Sequence, residues 1–218
     1  MISEFLKFFF IFHPNKASLI NLSKNVNPIL ADLNGKKVAG AGYNLRYLEG
    51  IDGAAGVRGG LPNFYNMIQT GVVDAAMLWP EAAKTFKIAE VAPYMLKVDL
   101  GAVNSKTVTV NKDIWKKLPQ EVKDVLKKVA VEYRDHIAGI AMDRAGASLK
   151  AYQAGGGTVI TLSSEARAAW AKSMPNISID WAQKLDTQGA PGTAMLKAYT
   201  AKLKAAGEIP VRDWASEL

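Results

Sequence analysis

The chain has 218 residues, 49% of them hydrophobic, with 27 Lys and Arg against 20 Asp and Glu and a net charge of +7. It has no cysteine, which excludes structural disulfides, thiolate metal sites and cysteine nucleophiles. The basic residues are dispersed, as at Lys36-Lys37, Lys116-Lys117 and Lys127-Lys128, with no long run and no aromatic interleaving, so no nucleic-acid partner is expected.

Phe5 to Phe12 is apolar apart from Lys7. It is shorter than the ~20 residues of a membrane span. It also lacks the preceding basic stretch and following small-x-small site of a signal peptide. Residues 1–30 form an unmatched N-terminal segment. Lys36 to Ala41 reads as a strand leaving Gly35. Gly42-Tyr43-Asn44 then turns into a short helix over Leu45 to Gly50, with Asn44 suited to be its N-cap. Gly40-Ala41-Gly42 resembles the start of a dinucleotide fingerprint but lacks the third glycine and the acidic residue after a second strand. An α/β enzyme holding a phosphate at this turn is the rival reading. Gly53 to Gly60 is turn material around a short strand at Val57, and Arg58 is either a cleft cation or a solvated loop residue.

Phe64, Met67 and Ile68 lie three and four apart, which is helix spacing, and Gly71 sits where a helix ends. Val72 to Leu78, apolar apart from Asp74, suits a strand covered on both faces. Pro80 opens a second helix. The pattern is an α-β-α unit of an open α/β sheet, where ligands bind at the carboxyl ends of strands. That points to Met77, Leu78 and Trp79.

Two β-like runs follow, Tyr94 to Val98 and Lys106 to Val110. Asn111 caps a short helix carrying Trp115. Pro119 to Ala154 is the longest helical pattern, with Val122, Val125, Leu126, Val129, Tyr133, Ile137 and Ile140 mostly at three- and four-residue steps. A continuous helix there spans ~50 Å at 1.5 Å per residue, and it stops at Gly155-Gly156-Gly157. Thr158 to Leu162 alternates as a strand, and Ser163 or Ser164 caps a helix running through Trp170. Met174 to Gln188 is helical with a break at Pro175. Gly192 to Ala206 is a final helix closed by Gly207, and Trp214 packs the tail.

Chemistry-bearing clusters are scarce. The histidines are His13 and His136, and His136 reads as a helix-surface residue. No zinc or calcium spacing occurs. There is no nucleophile-elbow pattern, and Glu132 and Asp135 share one helix face. No catalytic residue, metal or cofactor is assigned.

Several blocks in order carry a family resemblance. They are DLNGKK at 32–37, QTGVVD at 69–74 followed by Pro80 and FKIAEVAPY at 86–94, and VTVNKDIWKKLP at 108–119. Over roughly residues 30 to 218 the chain resembles the solute-binding proteins of tripartite ATP-independent periplasmic (TRAP) transporters, of dicarboxylate-binding type. The resemblance implies an α/β, periplasmic-binding-protein-like fold of the two-lobed type II, here incomplete, with one α/β lobe plus a long bridging helix. It divides the chain into residues 31–104, the first part of the ligand-binding lobe, then 105–154, a hinge strand, part of the other lobe and the bridging helix, then 155–218, the rest of the lobe and closing helices. The family's first-lobe section before the DLNGKK block is missing, so the chain reads as N-terminally truncated, and a truncated product that binds nothing stands as a further alternative. Part of the long helix's apolar face is then expected to lack a partner.

The family's carboxylate-binding Arg is replaced within Lys37-Val38-Ala39, and its Asn after the QTGVVD block is replaced by Leu78 or Trp79. Gly42, Asn44, Leu45, Leu48, Glu49 and Gly50 match a branch in which the resemblance implies ligand contacts from Asn44 and Trp79, with Tyr43 close by. An N-cap role for Asn44 and core packing for Trp79 stand beside that reading. The implied function is non-enzymatic. A periplasmic receptor captures an organic acid between two lobes and delivers it to the membrane permease of a TRAP transporter.

Overall fold

The computed structural model describes residues 9–12, 33–99 and 109–218. Six strands, β1 (Phe9–Phe12), β2 (Lys37–Gly40), β3 (Ala55–Arg58), β4 (Ala75–Leu78), β5 (Tyr94–Lys97) and β6 (Thr158–Thr161), form one sheet in the order β3-β2-β4-β1-β5-β6. β2 pairs parallel with β3 and β4, and β5 pairs parallel with β6. β1 runs antiparallel between β4 and β5. The other five strands therefore point the same way and share one carboxyl-end edge.

Strand alternation divides the core into two clusters, one per sheet face. Val38, Ala75, Met77 and Leu96 join Leu33, Leu48, Leu162 and the fully buried Trp170. Ala39, Ala76, Leu78 and Met95 join Phe64, Ile68, Ile88 and Tyr152. The first face is covered by the 3-10 helix Gly42–Gly50 and by α5 (Ser164–Ser173), where the Trp170 indole N–H donates to the Tyr47 carbonyl at 2.9 Å. The second is covered by α1 (Phe64–Gln69), α2 (Pro80–Thr85) and the C-terminal end of α4 (Gln120–Ala154). There the Tyr152 hydroxyl donates to the Ala92 carbonyl. Burying a side chain such as Phe64 or Ile68 contributes roughly 1.5–3 kcal/mol.

Local chemistry fixes most element ends. The Asn111 side-chain Oδ1 accepts from the N–H groups of Asp113 at 2.8 Å and Ile114 at 3.1 Å, capping α3 (Lys112–Lys117). Ser163 caps α5 by accepting from Ala166 N–H at 3.2 Å. Asn176 does the same for α6 (Ile177–Thr187), accepting from Ile179 N–H at 3.0 Å. Gly71 takes φ +74° beyond α1, a conformation that costs a side-chain-bearing residue more. α7 (Gly192–Ala205) packs on α6 so closely that a Cβ at Gly192 would stand 2.1 Å from the Ala182 carbonyl.

Arg212 ties the tail to α5. One terminal nitrogen donates to the carbonyls of Ala171 at 2.8 Å and of Met174. Nε and the other terminal nitrogen each donate to the Glu217 carboxylate at 2.7 Å. The guanidinium lies 4.1 Å from the Trp214 ring centroid.

Three expectations need adjustment, and one segment gains a place in the sheet. The strand expected over Val72 to Leu78 begins only at Ala75. Val72 is 53% exposed in the preceding turn, and Asp74 instead accepts from the Lys37 N–H at 2.8 Å. Asn44 is not an N-cap, because Gly42 at φ +57° starts the 3-10 helix earlier and Ala41 occupies the cap position. Phe9–Phe12, within the segment that matches no family block, supplies a central strand, for which no secondary structure was expected. Of the run Lys106 to Val110, residues 106–108 lie outside the described residues, and Thr109 and Val110 are exposed and without regular structure.

α4 is one continuous helix from Gln120 to Ala154, passing through Gly139 and Gly146. Its C-terminal end is anchored by the buried Ser148 and Tyr152. Toward its N-terminus Val122, Val125, Leu126, Val129 and Tyr133 are all exposed, Val125 by 60%, so among the described residues this apolar face is uncovered, as expected.

Candidate ligand-binding edge at the strand carboxyl ends

β2 leads through Ala41 into the 3-10 helix, whose first residues are Gly42, Tyr43 and Asn44. Tyr43 is 53% exposed, whereas Asn44 is 2% exposed. The Asn44 backbone N–H donates to the Ala41 carbonyl at 3.2 Å, but its side-chain Oδ1 is buried without a hydrogen-bond partner. β4 ends at Leu78, and Trp79 follows as the residue before α2. Trp79 is half-buried and touches both core clusters, so it closes the end of the sheet rather than one face. β2 and β4 are hydrogen-bonded neighbours. The structure therefore brings the sequence-derived residues Tyr43, Asn44 and Trp79 to one edge on adjacent strands. On the other side of β2, the exposed Arg58 ends β3 in register with Gly40.

A second group at this edge was not foreseen. Lys97 pairs with Asp99 at 3.3 Å just past β5. Asp99 adopts φ +48°, and Arg167 of α5 donates to its carbonyl at 3.4 Å. Asp99 Oδ1 and Arg167 Nε are both buried without partners. The group joins residues 68 apart in sequence, so no local spacing announces it.

The phosphate reading of the Gly40–Gly42 turn loses its seat. A Cβ at Gly40 would stand 2.6 Å from Leu45 Cδ2, so the Leu45 side chain already fills the space above this glycine. Among the described residues no group of three or more His, Asp or Glu could hold a metal, and His136 is exposed on α4. No helix among them is long and apolar enough to cross a membrane.

The family model of the bacterial extracellular solute-binding proteins, family 7 (DctP), matches residues 48–184. The chain belongs to this family. The family is one of transport solute-binding proteins, not of enzymes. This family 7 chain is 33% identical over 139 residues to the C4-dicarboxylate-binding periplasmic protein DctP of Rhodobacter capsulatus, a match covering 63% of the chain and 40% of that relative. The fold is similar to that of a TRAP periplasmic solute-binding protein from Desulfovibrio salexigens solved with bound orotic acid. The TM-score is 0.73 at 19% identity, over 92% of this chain and 60% of that one. It is also similar to a TRAP solute-binding protein from Rhodoferax ferrireducens in complex with copurified benzoate, with TM-score 0.72 at 18% identity, over 92% of this chain and 62% of that one. The two-lobed α/β fold of TRAP periplasmic binding proteins is thus the one this chain shares in part. It spans less than two thirds of each of these relatives' length.

Proposed function

We propose that this family 7 chain supplies the ligand-holding α/β lobe of an extracytoplasmic TRAP receptor and that its ligand is an organic acid. The family match across residues 48–184 carries the reading, because it spans the strand ends that bear Arg58, Trp79, Lys97 and Asp99. Residues 31–104 and 155–218 form the lobe, and 105–154 carry the hinge crossing and the bridging helix. Capture is by binding and lobe closure, without catalysis, followed by hand-over to a membrane permease from the periplasm.

In this reading Arg58 meets the ligand carboxylate with its forked guanidinium, which suits a planar carboxylate better than a lysine would. Trp79 and Tyr43 pack on the ligand body, and Asn44 reaches it from the end of β2. The relatives' ligands, a C4-dicarboxylate, orotic acid and benzoate, are all acids or acid salts, which supports the class. Dicarboxylate specificity is the narrower reading that the Rhodobacter relative suggests.

The test is thermal denaturation of the chain with a panel of organic acids and of nucleotides. A bound ligand at a hundred times its Kd stabilises by about 2.7 kcal/mol. Acids are expected to raise the midpoint, and Arg58→Ala to weaken that binding about tenfold or more. Stabilisation by nucleotides alone would instead restore the phosphate-binding rival.

A further inference from the structure

The sequence holds one Asn-Gly pair, Asn34-Gly35, and one Asp-Gly pair, Asp52-Gly53. The fold sets them face to face at the amino ends of β2 and β3, the opposite end of the sheet from the ligand edge. Each pair forms the centre of a tight turn. The Lys36 N–H donates to the Leu33 carbonyl at 3.0 Å, and the Ala54 N–H to the Ile51 carbonyl at 3.2 Å. Gly35 at φ +70° and Gly53 at φ +69° take the third position, where a left-handed conformation favours glycine. The Gly35 N–H donates to the Gly53 carbonyl at 2.9 Å and ties one turn to the other. The Asn34 carboxamide lies against Gly53, so that a Cβ there would stand 2.6 Å from its Oδ1 and 2.8 Å from its Cγ.

An asparagine before a glycine is chemically labile, because the glycine nitrogen has no side chain beside it to hinder attack on the asparagine Cγ. We infer that Asn34 is a site of spontaneous deamidation, and that Gly53 holds the reaction in check while the two turns stay docked. In the reaction Gly35 N gives up its proton and bonds to Asn34 Cγ. The Cγ–Nδ2 bond breaks, and Nδ2 leaves as ammonia after taking up a proton. Water then opens the cyclic imide to aspartate or isoaspartate. Nothing is oxidised or reduced, and water is the co-reactant. Asn34 is exposed, so water reaches it. The native contacts oppose both partners in the attack instead. The nitrogen must release a proton that is shared with the Gly53 carbonyl, and the carbon it must reach is turned against the Gly53 backbone. The reaction therefore waits for a local opening of the turn. Conversion puts a carboxylate into this contact, opposite the turn that carries Asp52, and isoaspartate adds a carbon to the backbone. The β2–β3 ladder starts just beyond, where the Ala55 N–H donates to the Lys36 carbonyl at 2.8 Å, so the change loosens the edge strand β3.

The test incubates the full chain in neutral buffer, folded and in urea, and follows the peptide carrying Asn34 by mass spectrometry. In urea Asn34 is expected to convert first among the asparagines. In the folded chain its conversion is expected to slow at least about tenfold, and to match within about threefold the slowing of hydrogen exchange at the Gly35 N–H, because both wait for one opening. Gly53→Ala, whose methyl group displaces the Asn34 side chain, is expected to bring the folded rate to within about threefold of the unfolded one. Should that variant fail to fold, low urea on the native chain serves in its place, where deamidation and Gly35 exchange are expected to rise together. Equal rates in the folded and unfolded chain, or a slowing that departs from the Gly35 protection, overturns the inference. So does another asparagine that converts before Asn34 in urea.

Discussion

Arg212 shows how much a single side chain can hold. It satisfies carbonyls at the C-terminal end of α5, grips Glu217 through two parallel hydrogen bonds and stacks on Trp214. The Arg212 hydrogen bonds, with a further one from Asn176, hold the Glu217 carboxyl down to about 2 from the ordinary 4.5. A depressed carboxylate contributes fully above its unfolded value and loses that contribution as pH falls toward the folded one. Docking of the tail is therefore expected to be intact at neutral pH and to weaken between about 4.5 and 2. The Trp214 indole resonance followed by NMR through that window reads it, and an unchanged signal below pH 2 would count against the latch. Gly192→Ala tests packing at the same scale. Its methyl group cannot fit against the Ala182 carbonyl, and overpacking of this kind costs about 1–3 kcal/mol, measurable by urea unfolding. Tyr152→Phe removes one buried hydrogen bond and is expected to cost about 1 kcal/mol.

The helices were the more legible elements. Helical spacing located α1, α4 and α7, and proline, serine and asparagine at their starts located the ends of α2, α5 and α3. The 3-10 helix was misjudged at its start, since Asn44 has good capping chemistry but Gly42 turns the chain before it can be used. α4 then makes an element-scale prediction. Among its described side chains, the buried ones, Ser148 and Tyr152, lie at the C-terminal end. Val125→Ser, at 60% exposure, is expected to change stability by no more than about 0.5 kcal/mol. Ile68→Ala, at a fully buried position of α1, is expected to cost about 2–5 kcal/mol. Hydrogen exchange should likewise be faster before Gly139 than after Gly146, and uniform protection along the helix would contradict this picture.

At the scale of the whole molecule the sequence announces an α/β layout and the edge where Trp79 lies, because buried parallel strands read as short apolar runs. Strand partners are a different matter. Which runs lie side by side depends on contacts between distant segments, and nothing in FFIF at 9–12 says that it belongs between β4 and β5. The group of Lys97, Asp99 and Arg167 escaped notice for the same reason, as it exists only once β5 and α5 are adjacent.

The place of β1 has a consequence in time. Among the described strands it alone hydrogen-bonds to both β4 and β5, so it joins β3-β2-β4 to β5-β6. Yet it precedes both partners along the chain and must wait, unpaired, for them to be made. Pairings over such sequence separations close slowly, and an exposed apolar strand is prone to meet the wrong neighbour meanwhile. Recovery of the native chain after dilution from denaturant should therefore fall as protein concentration rises, and Phe10→Pro, which removes a backbone donor from a strand paired on both sides, should lower the yield of native protein even in dilute solution.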